Sequence, residues 1–269
     1  MKIRYLNSLL IFGFMLLPVL AGASVIFISS VEFEGNTRFD TPQLRRLLRL
    51  SEIGKRYVAE NLRMDLQYVT QVYQDEGFLN VKIGPPEVKI HTLEDAQSAA
   101  IWIPVVEGSR YSLRNATVRN VQALPSSTLM QMCPIQKGQP YSRFRISQWQ
   151  AKVEEAYRAI GHIRARCTVQ DSVHESDKTV DCALECTEGK GYRVGKITIV
   201  ADQSIDRIQF KRRLLLSEGG LFNPEYLTLS IQYLNQMRIY KPISGSDVEI
   251  GINDADGTVN LVWHLSLPE

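Results

Sequence analysis

The sequence predicts an α+β chain built from three tandem copies of one β-α-α-β-β unit. The first observation is a repeat: the segment GKRYVAENLRMDLQYVTQVYQDEGFLNVK, which begins at Gly54, has a counterpart 84 residues later at Gly138. A looser third copy begins 81 residues further on, at Gly219. Inside the copies the hydrophobic period changes from that of a helix to that of a strand. A fixed repeat length indicates one supersecondary unit used several times.

Apolar residues at i, i+4, i+7 and i+11 predict a long helix in each unit. In unit one this spacing places a single apolar stripe along about four turns of helix. Gly77 follows directly, at a point where helices commonly end through a residue with positive φ. The stripe consists of Leu62, Leu66, Val69 and Tyr73 in unit one, Ile146, Val153 and Tyr157 before Gly161 in unit two, and Leu227, Ile231 and Leu234 in unit three.

Strands are predicted on both sides of the helices. After Gly77 and Gly161 the apolar residues alternate, which indicates half-buried strands at Phe78–Ile90 and His162–Val173. Val248–Ile252 is the corresponding strand of unit three. The opening strands are Ile26–Glu34, Ser112–Val121 and Val194–Val200, and the closing strands are Ala100–Val106, Thr179–Cys186 and Thr258–Leu265. We place the units at residues 24–109, 110–190 and 191–269.

Residues 1–23 have the form of a cleavable secretory signal. Lys2 and Arg4 precede an apolar run that ends at Leu20, and small residues follow, so we expect cleavage between Ala23 and Ser24. The run is shorter than the roughly 20 apolar residues that span a bilayer. An uncleaved inner-membrane anchor is the alternative interpretation.

The charge balance gives no indication of a nucleic-acid or anionic-membrane partner. Without Lys2 and Arg4, the 31 basic residues of the chain become 29, which equals its 29 acidic residues. A balanced chain has no electrostatic surface of the kind that recruits a polyanion.

All four cysteines lie in unit two. In an exported chain an even number of cysteines suggests disulfide bonds. Pairing the predicted hairpin so that Val173 faces Val180 brings Cys167 opposite Cys186, which leaves Cys133 for Cys182. Three pairings are open from the sequence, and buried free thiols are the alternative. A metal site is disfavoured, because no histidine accompanies these cysteines at ligand spacing.

The sequence contains no recognisable catalytic motif. G-x-S-x-G, C-x-x-C and phosphate-binding glycine loops are absent, and the four histidines are scattered over strands and turns. Asp254 and Asp256 suggest calcium, but their loop lacks the other ligands, which favours a turn. We therefore expect neither an enzyme nor a bound cofactor or metal.

Short motifs follow one another in a fixed order along the chain: Val31-Glu32-Phe33-Glu34-Gly35-Asn36, Gly138-Gln139-Pro140-Tyr141-Ser142, Tyr157-x-x-x-Gly161, and the Glu-Gly-x-x-Tyr junctions at Glu107 and Glu188. Their order resembles the POTRA (polypeptide-transport-associated) family over Ile26–Glu269. The resemblance implies that each unit is a three-stranded mixed sheet covered on one face by two helices. Unit three departs from the pattern, because Arg238 and Pro242 replace the tyrosine and glycine at the end of its long helix.

The resemblance implies a non-enzymatic scaffold of the Omp85 type, located in the periplasm and associated with the outer membrane through its partners. Its clients would be unfolded outer-membrane or secreted polypeptides, and a separate β-barrel or assembly-complex subunit is the implied partner. In that family a membrane β-barrel follows the last unit. In this sequence no run of alternating barrel strands follows the final strand of unit three, which leads to Glu269. A free-standing array, a truncated insertase and an anchored division-type protein are the expectations left open.

In the POTRA fold the first strand of the hairpin lies at the sheet edge, where an extended polypeptide can pair with it by β-augmentation. The alternative is that these edges bind nothing and are only protected by Lys82, Lys89, Arg164 and Arg166. The predicted contact residues are Phe78, Val81, Ile83, Val88 and Ile90 in unit one, Ile163, Ala165 and Val169 in unit two, and Val248 and Ile250 in unit three.

Overall fold

A computed structural model describes residues 25–93, 96–201 and 203–267. The predicted signal segment and its cleavage site at Ala23 and Ser24 lie outside these residues. Within the described chain, the order strand, short helix, long helix, hairpin occurs three times. The sheets are mixed, each with a parallel pairing of its first and last strands and an antiparallel pairing within its hairpin, which in unit one is divided in two; this confirms the predicted fold class.

Unit one differs from the others in the strand that precedes its central strand. This edge strand is divided into β2 and β3 at Gly84-Pro85-Pro86, because neither proline has an N–H to donate to the ladder. The last strand, β4, is central, parallel to β1 and antiparallel to β2 and β3. The elements are β1 Ile26–Glu34, α1 Thr41–Arg45, α2 Ala59–Asp75, β2 Lys82–Ile83, β3 Glu87–Leu93 and β4 Ala96–Val106.

Units two and three have the same topology with an unbroken hairpin. Their strand orders are β5-β7-β6 and β8-β10-β9, so the last strand is again central. Unit two consists of β5 Ser112–Arg119, α3 Ser126–Gln131, α4 Arg143–Ala159, β6 Arg166–His174 and β7 Thr179–Thr187. Unit three consists of β8 Arg193–Val200, α5 Arg207–Arg212, α6 Pro224–Met237, a short 3-10 helix Gly245–Asp247, β9 Val248–Asn253 and β10 Thr258–His264.

Each unit has its own hydrophobic core between its sheet and its helices. Tyr73, Trp149 and Trp263 are fully buried, one in each core, as the predicted helix stripe and strand alternation require. Trp102 is only partly buried, and the Lys89 ammonium lies 4.8 Å from the centre of its ring. Two of the three tryptophans are therefore core residues.

Four of the six α-helices in the described chain begin at residues whose side chains accept hydrogen bonds from the first turn. Asp40 accepts from the Gln43 N–H before α1, and Ser142 accepts from Arg145 before α4. Asn223 does the same for α6, with Pro224 in the first turn. Such caps satisfy backbone donors that have no partner inside the helix.

Two of the predicted hairpin strands begin later than the sequence analysis placed them. The Phe78 N–H donates to the Tyr73 carbonyl oxygen at 3.1 Å, and the His162 N–H donates to that of Tyr157 at 2.9 Å. These bonds close the helix C-terminus in a Schellman motif, in which the residue after the glycine packs back onto the last turn. The apolar residues just beyond each glycine therefore belong to a helix ending, and the strands start at Lys82 and Arg166.

The structure joins Cys167 and Cys186 in a disulfide bond across β6 and β7. Cys133 and Cys182 are free thiols, so the pair assigned to them by elimination is corrected. The Cys133 thiol instead donates to the carbonyl oxygen of Ile135, and Cys182 is buried in the sheet.

Candidate polypeptide-binding edges

The first-strand edge of every sheet (the outer side of β1, β5 and β8) is paired at its start with the segment that leads into the long helix. In unit one the Gly54 N–H donates to the Ile28 carbonyl oxygen at 2.8 Å, and the Tyr57 N–H donates to that of Ile26 at 2.7 Å. The same two bonds occur in the other units, from Gly138 to Leu113 and Tyr141 to Tyr111, and from Gly219 to Val194 and Phe222 to Tyr192. The repeated Gly-x-x-Tyr or Gly-x-x-Phe sequence therefore occupies this edge.

Among the residues that the structure describes, the hairpin edge (the outer side of β2 with β3, of β6 and of β9) is paired only toward the central strand. An edge strand leaves alternate N–H and C=O groups without a partner strand. Because the Cα atoms of Cys167 and Cys186 are 4.1 Å apart, they form a non-hydrogen-bonded pair, and the backbone groups of Cys167 point outward. By alternation the outward backbone groups further along β6 belong to Val169, Asp171 and Val173.

Side chains from α4 already satisfy the start of the β6 edge. The Cys167 N–H donates to Glu154 at 2.9 Å, and the Gln150 amide donates to the Cys167 carbonyl oxygen at 2.7 Å. A peptide strand on this edge would therefore find its first free backbone groups at Val169.

The three hairpin edges can be compared through the residues that they oppose in the central strand. Ile90 opposite Ala99, Val173 opposite Val180 and Ile252 opposite Val259 share one position. Their exposed fractions are nearly equal, at 43%, 42% and 44%, so each edge presents one exposed apolar side chain there.

Two residues earlier the edges differ in chemistry. The equivalent residues are Val88 opposite Ile101, Asp171 opposite Cys182 and Ile250 opposite Leu261. The Asp171 carboxylate accepts a hydrogen bond from the Tyr141 hydroxyl, and the Arg143 guanidinium is 3.8 Å away. Burial and then this carboxylate raise the pKa of Tyr141, so the phenol remains a neutral donor.

A cleft of about 360 Å³ lies beside the interrupted edge of unit one. Its walls are α2, through Leu62, Leu66 and Arg63, and the turn at Gly84-Pro85-Pro86. The cleft is mainly apolar, but the backbone beside it offers no donors at the two prolines.

The alternative interpretation expected Arg164 to protect a sheet edge, but its side chain contacts the next unit instead. Its guanidinium is 2.9 Å from the Asp254 carboxylate of unit three, which also accepts from the Tyr192 hydroxyl at 2.5 Å. At the preceding junction the Ser142 hydroxyl donates to Asp75 of unit one at 2.5 Å. These contacts link neighbouring units.

Six of the ten predicted contact residues lie in an edge strand, and four do not. Phe78 and Val81 are buried in the core of unit one, Ala165 is buried in that of unit two, and Ile163 packs against the core of unit three. Val173 and Ile252, which the sequence analysis missed, were identifiable from the hairpin register. The six edge residues are Ile83, Val88, Ile90, Val169, Val248 and Ile250.

Across residues 25–93, 96–201 and 203–267, every helix is too short or too polar to cross a membrane. The same residues contain no cluster of three or more histidine, cysteine, aspartate or glutamate side chains that could hold a metal ion.

Comparison with known proteins agrees with this architecture. Residues 26–108 match the POTRA family model, described as a surface antigen variable number repeat. The chain is 22% identical over 242 residues to the outer membrane protein assembly factor BamA of Neisseria meningitidis, covering 84% of this chain and 30% of that protein. It is 24% identical to BamA of Neorickettsia risticii, covering 73% of this chain and 27% of that protein. The chain thus spans under a third of the length of these relatives.

The crystal structure of POTRA domains 3–5 of Haemophilus influenzae BamA is similar along nearly its whole length. The alignment covers 91% of this chain and 98% of the Haemophilus influenzae chain, with a TM-score of 0.61 and 18% sequence identity. This similarity shows a shared fold for the three-unit array. Residues 26–108 therefore match the POTRA family model, and the three-unit array shares the fold of BamA POTRA domains 3–5.

Proposed function

We propose that this chain works in outer-membrane protein assembly as a non-enzymatic periplasmic module. Its clients are unfolded outer-membrane or secreted polypeptides, which add as extra strands to the hairpin edges. The observation that supports the proposal most directly is the asymmetry of the sheets. The start of each first-strand edge is paired with its own chain, whereas β3, β6 and β9 pair on one side only among the residues that the structure describes.

Backbone pairing suits a client class that is defined by being unfolded. A strand added to an edge forms main-chain hydrogen bonds, which depend little on the amino-acid sequence of the client. Side-chain contacts at alternate positions add a coarse preference for apolar residues. Ile90, Val173 and Ile252 supply an exposed apolar contact at the same position of each edge.

The relatives named as assembly factors suggest where the module acts. We propose that the chain is exported through residues 1–23 and faces the periplasm. Its association with the outer membrane is then indirect, through a subunit of an assembly complex. The contacts between neighbouring units support an arrangement in which the three hairpin edges belong to one array.

Fluorescence anisotropy of a labelled peptide tests the proposal. The probe is a peptide of about ten residues, a typical strand length or slightly more, with alternating valine and threonine and a lysine at each end. The matched control has the same sequence with an N-methyl group on every residue, which removes the donors along both edges of the peptide. We expect the exported chain to bind the control at least about tenfold more weakly, a loss of ~1.4 kcal/mol. Equal affinities, or no binding of the parent peptide, would overturn the proposal.

A further inference from the structure

The hairpin edges of units two and three are alike in backbone geometry. Both hairpins close with a four-residue loop, between His174 and Thr179 in unit two and between Asn253 and Thr258 in unit three. Because loop and register are the same, Ile250 of β9 corresponds to Asp171 of β6, and its N–H and C=O likewise point outward. The edges differ in the side chain that a guest strand would meet at this point.

In unit two that side chain is charged. The Asp171 carboxylate lies beside the outward backbone groups of its own residue, between the Tyr141 hydroxyl and Arg143. An apolar guest residue here would remove water from a carboxylate without supplying a donor, which is unfavourable. Inward-pointing charges are a recognised means by which edge strands avoid pairing.

In unit three both members of this pair are apolar. Phe222 makes the same backbone bond as Tyr141, and Ile250 stands at the Asp171 position, half exposed at 50%. Ile250 and Ile252 have the two-residue spacing of one strand face. On the opposite face Glu249 contacts His264 at 2.9 Å, so that side is polar.

In its suitability for pairing with an apolar guest strand, the hairpin edge of unit one is intermediate between those of units two and three. Val88 is apolar at the same position, but Pro85 and Pro86 interrupt the strand just before it. Proline removes ladder donors and limits the length over which a guest strand can pair.

We propose that the residue at this position determines which unit accepts a client strand. The β9 edge of unit three binds extended segments with apolar residues at alternate positions, whereas Asp171 keeps the β6 edge of unit two from pairing with them. This inference rests on the proposed function, because it assigns a location to that binding.

Exchanging the two residue pairs between the units tests the proposal, with the full exported chain and the valine–threonine peptide as probe. Phe222→Tyr with Ile250→Asp gives unit three the chemistry of unit two, and we expect at least about tenfold weaker binding. Tyr141→Phe with Asp171→Ile gives unit two the chemistry of unit three, and we expect a second peptide to bind per chain. The double substitutions avoid leaving a buried hydroxyl without its partner.

Two controls keep the result interpretable. Ile250→Asp alone changes a half-exposed side chain, and its circular dichroism and unfolding midpoint establish that the unit is folded. Leu229→Asp alters an exposed apolar residue on α6, away from the sheet edge, and should leave binding unchanged.

The outcomes separate this inference from the proposed function. If the parent peptide binds and its N-methylated form does not, but both exchanges leave affinity and stoichiometry unchanged, edge binding stands and the assignment to β9 is overturned. If Leu229→Asp loses peptide binding and Ile250→Asp retains it, the peptide binds on α6, and the assignment to β9 is again overturned. No binding of the parent peptide contradicts the proposed function itself.

Discussion

The Tyr192 N–H donates a hydrogen bond of 2.8 Å to the carbonyl oxygen of Gly161, which joins the first residues of unit three to the helix end of unit two. The Tyr111 N–H makes the same 2.8 Å bond to Gly77 one unit earlier. A Cβ atom on Gly161 would lie 2.6 Å from the Tyr192 carbonyl oxygen, and one on Gly77 would lie 2.4 Å from that of Tyr111. The glycine thus ends its helix and also allows the next unit to approach.

Gly161→Ala should therefore destabilise the protein more than Gly138→Ala. Both glycines have positive φ, +89° and +85°, but nothing lies within 4 Å of a Cβ on Gly138. Gly138→Ala should cost about 1–2 kcal/mol of unfolding free energy from backbone strain alone. Gly161→Ala adds a steric contact, which typically costs a further ~1–3 kcal/mol. Denaturant unfolding measures both, and equal losses would argue against a close approach at the junction.

The disulfide bond between β6 and β7 should stabilise unit two substantially. Cys167 and Cys186 are 19 residues apart, and closing a loop of that size contributes ~3 kcal/mol in the chain-entropy model. We expect a loss of about that size for Cys167→Ala with Cys186→Ala, measured by urea unfolding. Cys133→Ala is the control, because its thiol is free, and a similar loss in that variant would contradict the assignment.

The two free thiols should react at very different rates. Burial raises the pKa of Cys182 to about 12, so at neutral pH this thiol is protonated and shielded. Burial also raises the pKa of Cys133, but that side chain is only partly buried. Maleimide labelling followed by mass spectrometry should modify Cys133 in the native protein and Cys182 only after unfolding. Equal labelling rates at the two cysteines would show that the Cys182 thiol in β7 is more accessible to maleimide than its burial in the structure indicates.

Asp181 should make stability depend on pH in the acid range. A hydrogen bond from Arg114, and then one from His174, lower the pKa of Asp181 from 3.8 to about 2. Because the unfolded chain binds this proton first as the pH falls, the contribution is present above pH ~4 and is lost toward pH ~2. Thermal midpoints of wild type and Asp181→Asn should differ at neutral pH and converge in acid. A constant difference from pH ~7 to ~2 would contradict the ion pair.

The helices were largely predictable from the sequence because their evidence is local. The apolar stripes and the caps at Asp40 and Asn223 depend only on residues that are close together in the sequence, and the observed helices agree with them. The starts of the first hairpin strands in units one and two were not predictable in this way. Phe78 and Ile163 continue an apparent alternation, but a helix-closing motif and a neighbouring core bury them.

The edges required tertiary information. The closure of the first-strand edge by Gly54 and Tyr57 is a contact between separate segments, although the repeat itself suggested that these residues matter. Glu107 was recognised only as part of a junction motif, whereas in the structure its carboxylate accepts from the Thr37 and Arg38 N–H groups. The difference between Asp171 and Ile250 appears only when the hairpins are aligned through their register.

Amide hydrogen exchange during peptide binding is the measurement that tests edge pairing most directly. With saturating valine–threonine peptide, we predict slower exchange at the Ile250 and Ile252 amides of β9 and unchanged exchange in β8, whose first residues are already paired on their outer side. The N-methylated peptide should give no such protection. Protection confined to α6, or no change at β3, β6 and β9, would contradict the account.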